Sequence, residues 1–248
     1  MSDREEQQIT RDVIFDGGLS IWQSRRGYRF GIDSILLATE LPPVPDDARV
    51  IDLGAGQGAV ALTIAYQNPQ MQVIAVERQK SLLDLLYRNI EENELTNVEV
   101  IAGDLREYRD ILQAHSADLV VANPPYYPGD QRRPSPRKER AEARHELFGG
   151  LSDFIKAAAY GLHQQGWLQI ITPPLRMVEA LRAAEPTDLA IRDLRFFHSH
   201  REDDAYLVQY RWRRGSAPDF AIRPPLFIYE SERVYSQEVA HRLQRERR

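Results

Sequence analysis

Short apolar runs alternate with helix-length amphipathic stretches from Arg49 to near residue 213. RVIDLGA, QVIAVE, VEVIAGD, ADLVVA and GWLQIITP are each too short for a helix and apolar at successive positions. Strands buried on both faces look like this. Between them, Gln57–Gln67 and Gln79–Asn93 read as helices, a short helix follows Asp104, and a helix over 152–163 takes Ser152 as its cap. Leu175–Ala184 reads as a further helix, and LAIRDLRFF and AYLVQYRWRR as two last strands. The alternation predicts an α/β fold: a seven-stranded, mostly parallel sheet with helices on both faces, joined by right-handed crossovers.

The pattern is different at both ends. Residues 1–12 are polar and read as a mobile start. VIFDGGLSIWQ alternates around Gly17-Gly18, which predicts a small hairpin. IDSILLATEL then reads as a short helix capped by Asp33 or Ser34, and Pro42, Pro43 and Pro45 close this piece. The expected units are an N-terminal hairpin and helix over 1–45, a main domain over 46–215, and an extension over 216–248 with a short apolar strand, LFIY, and a polar helix-like tail.

A chain of 248 residues with 42% hydrophobic content can bury a sizeable core as one large domain, or as a domain with an appendage. Its apolar runs are too short to cross a membrane, and the acidic start has no signal-peptide core. Cysteine is absent and the six histidines lack ligand spacing, so neither disulfides nor a metal site are expected, and a cytoplasmic location fits best. A net charge of −5 argues weakly against nucleic acid, but the charge is uneven. Arg132, Arg133, Arg137, Lys138, Arg140 and Arg144 crowd residues 129–145 and suit phosphates. His145 beside them reads as structural.

Candidate chemistry follows the strands. After ADLVVA comes Asn123-Pro124-Pro125-Tyr126, a stiff turn at the carboxyl end of a strand, where α/β sheets bind ligands. Asn123 offers two donors and an acceptor, and Tyr126 an aromatic face. After the first sheet strand, Asp52 precedes Gly54, Gly56 and Gly58, spaced G-x-G-x-G rather than G-x-G-x-x-G. A carboxylate beside that turn repels pyrophosphate and suits a cationic amino-acid group. Glu77, followed by Arg78, ends the second strand where an acid takes a ribose diol. Asp104 either receives an adenine amino group or caps the helix after it, and Leu105 can lie against the ring.

In this order, the motifs resemble the class I S-adenosylmethionine-dependent methyltransferases, a Rossmann-like fold, over roughly residues 30–213. Tyr28-Arg-Phe-Gly-Ile-Asp33 resembles that family's extra N-terminal motif, which implies that Phe30 and Asp33 close over the methionine end. Asn123-Pro-Pro-Tyr126 resembles the signature of enzymes that methylate a planar nitrogen: adenine N6, guanine N2 or glutamine N5. Such an amine is a poor nucleophile, and hydrogen bonds from its N–H groups to Asn123 Oδ1 and the Pro124 carbonyl would draw it towards sp3 character.

GYRFGIDSILLA, DLGAGQG, NPPYY with its basic loop, and PLFIYESERVYSQE together resemble the bacterial valine-tRNA adenine-N6 methyltransferases. That resemblance implies S-adenosylmethionine as cofactor and an RNA, a tRNA before other RNAs, as partner. Gly31 stands where Ser is expected. Release-factor glutamine methyltransferases share NPPY but carry a longer helical N-terminal domain, and ribosomal guanine-N2 enzymes usually carry a duplicated one. A non-catalytic cofactor- or RNA-binding module is the alternative of a different class.

Overall fold

In the computed structural model, residues 9–25, 29–125, 150–215 and 219–244 are described. Strand β1 (Ile9–Ile14) and β2 (Leu19–Ser24) form an antiparallel hairpin. It starts earlier than its sequence pattern, because Ile9 to Asp12 pair with Ile21 to Ser24. Helix α1 (Ile32–Thr39) follows. The main domain then runs β3 (Arg49–Leu53), α2 (Ala59–Gln67), β4 (Gln72–Glu77), α3 (Lys80–Glu92), β5 (Val98–Ala102), α4 (Tyr108–Ile111) and β6 (Ala117–Ala122). After it come α5 (Leu151–Gly161), β7 (Leu162–Thr172), α6 (Met177–Ala184), β8 (Leu189–His198) and β9 (Ala205–Arg214). The extension holds β10 (Ala221–Ile222), β11 (Leu226–Phe227), β12 (Tyr229–Ser231), β13 (Val234–Tyr235) and α7 (Gln237–Leu243).

The sheet order is β5-β4-β3-β6-β7-β9-β8, with β10 and β11 added as two-residue parallel pairings on β8. Only β9 runs antiparallel to its neighbours β7 and β8. The seven expected strands are all present, and the two short additions lengthen the sheet beyond them. Strands β3, β4 and β6 are nearly solvent-free along their length, which explains why they read as continuous apolar runs. Successive side chains still separate by face. Val50, Val73, Ala75, Leu119 and Val121 join a core with α1, α2 and the hairpin. Ile51, Leu53, Ile74, Val76 and Val120 join one with α5 and α6.

Local details depart from the sequence reading at helix starts. Helix α5 is capped by Gly150 and Asp153, not Ser152: Gly150 N–H donates to Asp153 Oδ2 at 2.9 Å, and Asp153 N–H to the Gly150 carbonyl at 2.9 Å. The bare glycine lets the backbone itself complete the box. Helix α1 is entered from Gly31 with no side-chain cap, so neither Asp33 nor Ser34 has the expected role. Helix α2 starts at Ala59, two residues late, because Gly58 takes φ 97° in front of it.

The far end of α1 is tied into the extension. Glu40, its side chain 11% exposed, sits among Arg195 of β8 (2.7 Å), Arg211 of β9 (3.6 Å), Arg242 of α7 (2.6 Å) and Arg223. Arg195 also binds Glu238 at 2.8 Å. Burial pushes the Glu40 carboxyl up, but Arg242, Arg195, Arg223 and Arg211 outweigh it and hold it below its ordinary value. Its stabilising share is therefore present above the unfolded carboxylate pKa and is lost as pH falls through the lower folded value. Glu40→Gln removes the shared anion from buried Arg195, Arg211 and Arg242 and from the partly exposed Arg223, two of which keep Glu238, and should lower unfolding stability at neutral pH by about 3 kcal/mol, measured by urea titration. The deficit relative to wild type should shrink as the pH is taken below 4.

Candidate active site

The chain steps from β3 out through β4 to β5, then returns to place β6 on the other side of β3. This reversal opens a crevice at the carboxyl ends of the strands, where the turns after β3 and β6 diverge. A cavity of about 190 Å³ lies there. The turn after β3 lines it with Gly54 and Gly56, the end of β4 with Glu77 and Arg78, and the end of β5 with Asp104 and Leu105. Asp52, Phe30, Asn123 and Pro125 complete the expected set along its walls. Gly58, Asp33 and the buried Pro124 do not line it.

Gly58 sits behind the cavity for a steric reason. Its φ is 97°, and a Cβ there would meet Leu62 Cδ1 at 2.3 Å and Leu86 Cδ1 at 2.6 Å. Gly56 differs: with φ 61° and nothing within 4 Å of a Cβ position, it leaves backbone facing open space.

The acids are already engaged by the protein. Glu77 Oε2 accepts from Gly56 N–H at 2.9 Å, and Oε1 accepts from the N–H groups of Arg78 (2.8 Å) and Gln79 (2.7 Å). It therefore pins the glycine turn to the end of β4. Asp104 Oδ1 accepts from Arg106 N–H and Nε, each at 3.0 Å, and Oδ2 from Arg78 Nη1 at 3.1 Å. Of its two expected roles, the structure displays the cap. The Arg106 side chain holds the Asp104 carboxyl well below its ordinary range, aided by Arg106 N–H and Arg78 against the opposing effect of burial.

Asp52 is fully enclosed, its Oδ2 accepting from Ala61 N–H at 3.0 Å. Burial raises its pKa to about 7, the Ala61 hydrogen bond opposing and the nearby Glu77 charge adding to the rise.

Asn123 is held by the N-terminal piece. Its Nδ2 donates to Asp33 Oδ2 at 3.1 Å and to Ser34 Oγ at 3.0 Å. A carboxylate only accepts, so Asp33 fixes which way the amide points. Asn123 Oδ1 is buried and has no hydrogen-bond partner among the described residues. A Cβ at Gly31 would stand 2.4 Å from Asp33 Oδ1, so a side chain at that position would make the end of the Asp33 side chain shift.

Several contributors have no local motif. Arg176, 6% exposed, donates from Nη1 to the Pro125 carbonyl at 2.8 Å and is itself gripped by Glu179. Phe154 of α5 and Ser34 also line the cavity. Asn89, fully buried on α3, accepts from Trp22 N–H at 2.7 Å and donates to the Trp22 and Gln57 carbonyls. It couples hairpin to glycine turn as a neighbouring strand would. Gln23 accepts from Phe30 N–H at 3.2 Å, fixing that ring's backbone at the cavity. Tyr28, Tyr126, Arg132, Arg133, Arg137, Lys138, Arg140, Arg144 and His145 lie outside the described residues.

The profile of the Methyltransferase small domain family matches residues 28–184. This chain belongs to that family. A "tRNA1(Val) (adenine(37)-N6)-methyltransferase" of Porphyromonas gingivalis is 28% identical over 92% of this chain and 91% of its own length. A "Release factor glutamine methyltransferase" of Aliivibrio fischeri is 33% identical over 51% of this chain. The chain spans only about half to two thirds of the length of most of these relatives: 46% of the Aliivibrio protein and 64% of a Bacteroides fragilis one. Among solved structures, a predicted O-methyltransferase of Agrobacterium tumefaciens superposes with TM-score 0.71 at 21% identity, covering 87% of this chain and 97% of that one. M. jannaschii TYW2 in complex with AdoMet superposes with TM-score 0.55 at 18% identity, covering 84% and 87%. These likenesses are of fold.

A raised Asp52 pKa means that the folded chain holds a proton which the unfolded chain releases near pH 4. Stability therefore falls as pH rises from about 4 to about 7. Asp52→Asn should remove this slope, up to about 1.4 kcal/mol per pH unit, and melt higher than wild type at pH 8. Thermal unfolding across pH 4–8 checks it.

Proposed function

We propose that this chain is an S-adenosylmethionine-dependent methyltransferase acting on the exocyclic N6 of an adenosine in RNA. The favoured substrate is tRNA, at the adenine just 3′ of the anticodon of a valine tRNA. The observation that carries the reading is the Asn123 amide: Asp33 and Ser34 take its donors, and the Oδ1 of this cavity-lining residue is buried without a partner among the described residues. An unpaired buried acceptor is costly unless a ligand N–H satisfies it.

The residues present fit the cofactor. Gly56 leaves backbone open to a close-lying ligand. Asp52 suits an ammonium group, Glu77 and Arg78 the ribose, Asp104 and Leu105 the adenine, with Gly54 beneath and Gly58 behind. Phe30, in the N-terminal unit, closes the methionine end, and Asp33 acts there through Asn123. When bound, S-adenosylmethionine supplies an electrophilic methyl group.

The chain's part is alignment. Asn123 Oδ1 and the Pro124 carbonyl accept the two N–H groups of the acceptor amine, drawing its lone pair out of conjugation. Asp33 strengthens this, since an anion behind the amide polarises its oxygen. Arg176 keeps the Pro125 carbonyl engaged, which stiffens the turn. Tyr126 stacks on the base, which must leave its own stack to arrive. Positive charge developing on the nitrogen is favoured by fixed dipoles already in place. The proton leaves only once the nitrogen is cationic, so no side chain acts as base beforehand. Arg132, Arg133, Arg137, Lys138, Arg140 and Arg144 supply phosphate contacts.

The Porphyromonas gingivalis match through 92% of the chain supports the tRNA reading. The shorter match to release-factor enzymes supports a second reading, glutamine N5, because a carboxamide presents the same two N–H groups.

Labelled cofactor incubated with total tRNA, rRNA and release factor should label tRNA, and label in protein alone would select the glutamine reading. Asn123→Ala should lower kcat at least a hundredfold with little change in cofactor affinity, and Asp33→Asn about tenfold. Retained activity in Asn123→Ala would remove the mechanism.

A further inference from the structure

A set of aromatic side chains beside the acceptor turn has no part in this chemistry. Tyr206 is the second residue of β9, which runs antiparallel to β7 with Val208 opposite Thr172. Its position therefore lies beside the 173–176 segment, whose Arg176 holds the Pro125 carbonyl. Strand β11 pairs with the end of β8, Leu226 opposite Phe197 and Phe227 opposite His198. That pairing delivers the β12–β13 hairpin to the same carboxyl edge of the sheet.

There the rings form a stack. Tyr229 and Tyr235 lie 5.3 Å apart with planes 13° from parallel, and His200 stacks on Tyr229 at 5.5 Å. His200 is fixed by Asp203, Nδ1 to Oδ2 at 3.0 Å. The stack ends at Tyr235, which is 38% exposed, and Tyr206 nearby is 36% exposed. Burial raises the Tyr206 hydroxyl pKa, and the next contributions come from Asp33, Tyr229 and Tyr235. The carboxylate that holds Asn123 and the exposed rings thus share one neighbourhood. The surrounding charges are mixed, with Glu230 and Glu232 between the two stacked tyrosines and Arg233 beside them. Such a surface does not suit phosphates, whereas the uncharged faces of bases fit it.

We propose that Tyr206 and Tyr235 form a stacking surface for an unpaired base next to the acceptor nucleotide, an inference that rests on the reading of this chain as an RNA adenine-N6 methyltransferase. The Tyr235 ring, already stacked on Tyr229 across the β12–β13 pairing, loses little freedom when a base lands on it, so exposed aromatic area converts to binding at low entropic cost.

The test uses the full chain and a tRNA anticodon stem-loop whose loop is unpaired. Tyr235→Leu keeps bulk and removes the π face. It should raise the dissociation constant and KM for the stem-loop about tenfold, leaving kcat at saturating RNA and cofactor affinity unchanged. The slope of log Kd against log salt should stay at its wild-type value, since no phosphate contact is lost. Tyr235→Phe should bind as wild type does. Tyr206→Leu, on a different strand, carries the same expectation and decides the matter if Tyr235→Leu unfolds. Wild-type affinity in a folded leucine variant overturns the surface, as does an altered salt slope. Wild-type chain that methylates release factor but no RNA overturns the functional reading and the surface with it, a result seen without any variant.

Discussion

A single side-chain amide, caught between a carboxylate and a hydroxyl, sets the orientation of the turn on which the candidate chemistry rests. Asn123 directly follows β6, while Asp33 and Ser34 lie in the first turn of α1, 90 and 89 residues earlier in the chain. The opposite end of α1 is anchored as firmly, with Glu40 set among four guanidiniums from β8, β9, α7 and the segment before β11. Helix α1 is only eight residues long, and every one from Asp33 to Thr39 is buried. It works as a short strut: one end positions the acceptor turn, and the other ties that turn to the C-terminal extension.

The acids at the strand ends show the same preorganisation. Glu77 accepts the N–H of Gly56 in the glycine turn and those of Arg78 and Gln79 beside it, Asp104 is neutralised by Arg106 and Arg78, and Asp52 takes the N–H of Ala61. Groups fixed in this way need little reorganisation when charge appears nearby. Two asparagines extend the logic to the hairpin. Asn89 and Asn93 offer β2 the donor and acceptor pairs that a neighbouring strand would, at Trp22 and Ser20. An amide side chain is a copy of the peptide group, so α3 can finish a sheet edge and keep Phe30 in reach of the cavity.

The features legible along the chain were local. Strand and helix periods, the G-x-G-x-G turn, the acids at strand ends and the Asn-Pro-Pro turn are all patterns between near neighbours, and backbone sterics translate them directly into conformation. These features made the α/β sheet and most of the cavity wall legible. The helix starts differ from the sequence pattern for local reasons too: Gly31 and Gly150 occupy the cap positions expected of Asp33 or Ser34 and of Ser152, and Gly58 delays α2 from Gln57 to Ala59.

Tertiary structure alone decided the partners. That Asp33 would hold Asn123, that Arg176 would clasp the Pro125 carbonyl, that Phe154 would reach the cavity, and that Arg195, Arg211, Arg223 and Arg242 would converge on Glu40 depend on the order of strands in the sheet. The placing of Tyr206 beside Tyr229 and Tyr235 depends on it as well. Sheet order results from burying two apolar faces at once over the whole domain. No stretch of sequence records that global balance, because each strand pattern is equally satisfied by several neighbours until all have been assigned.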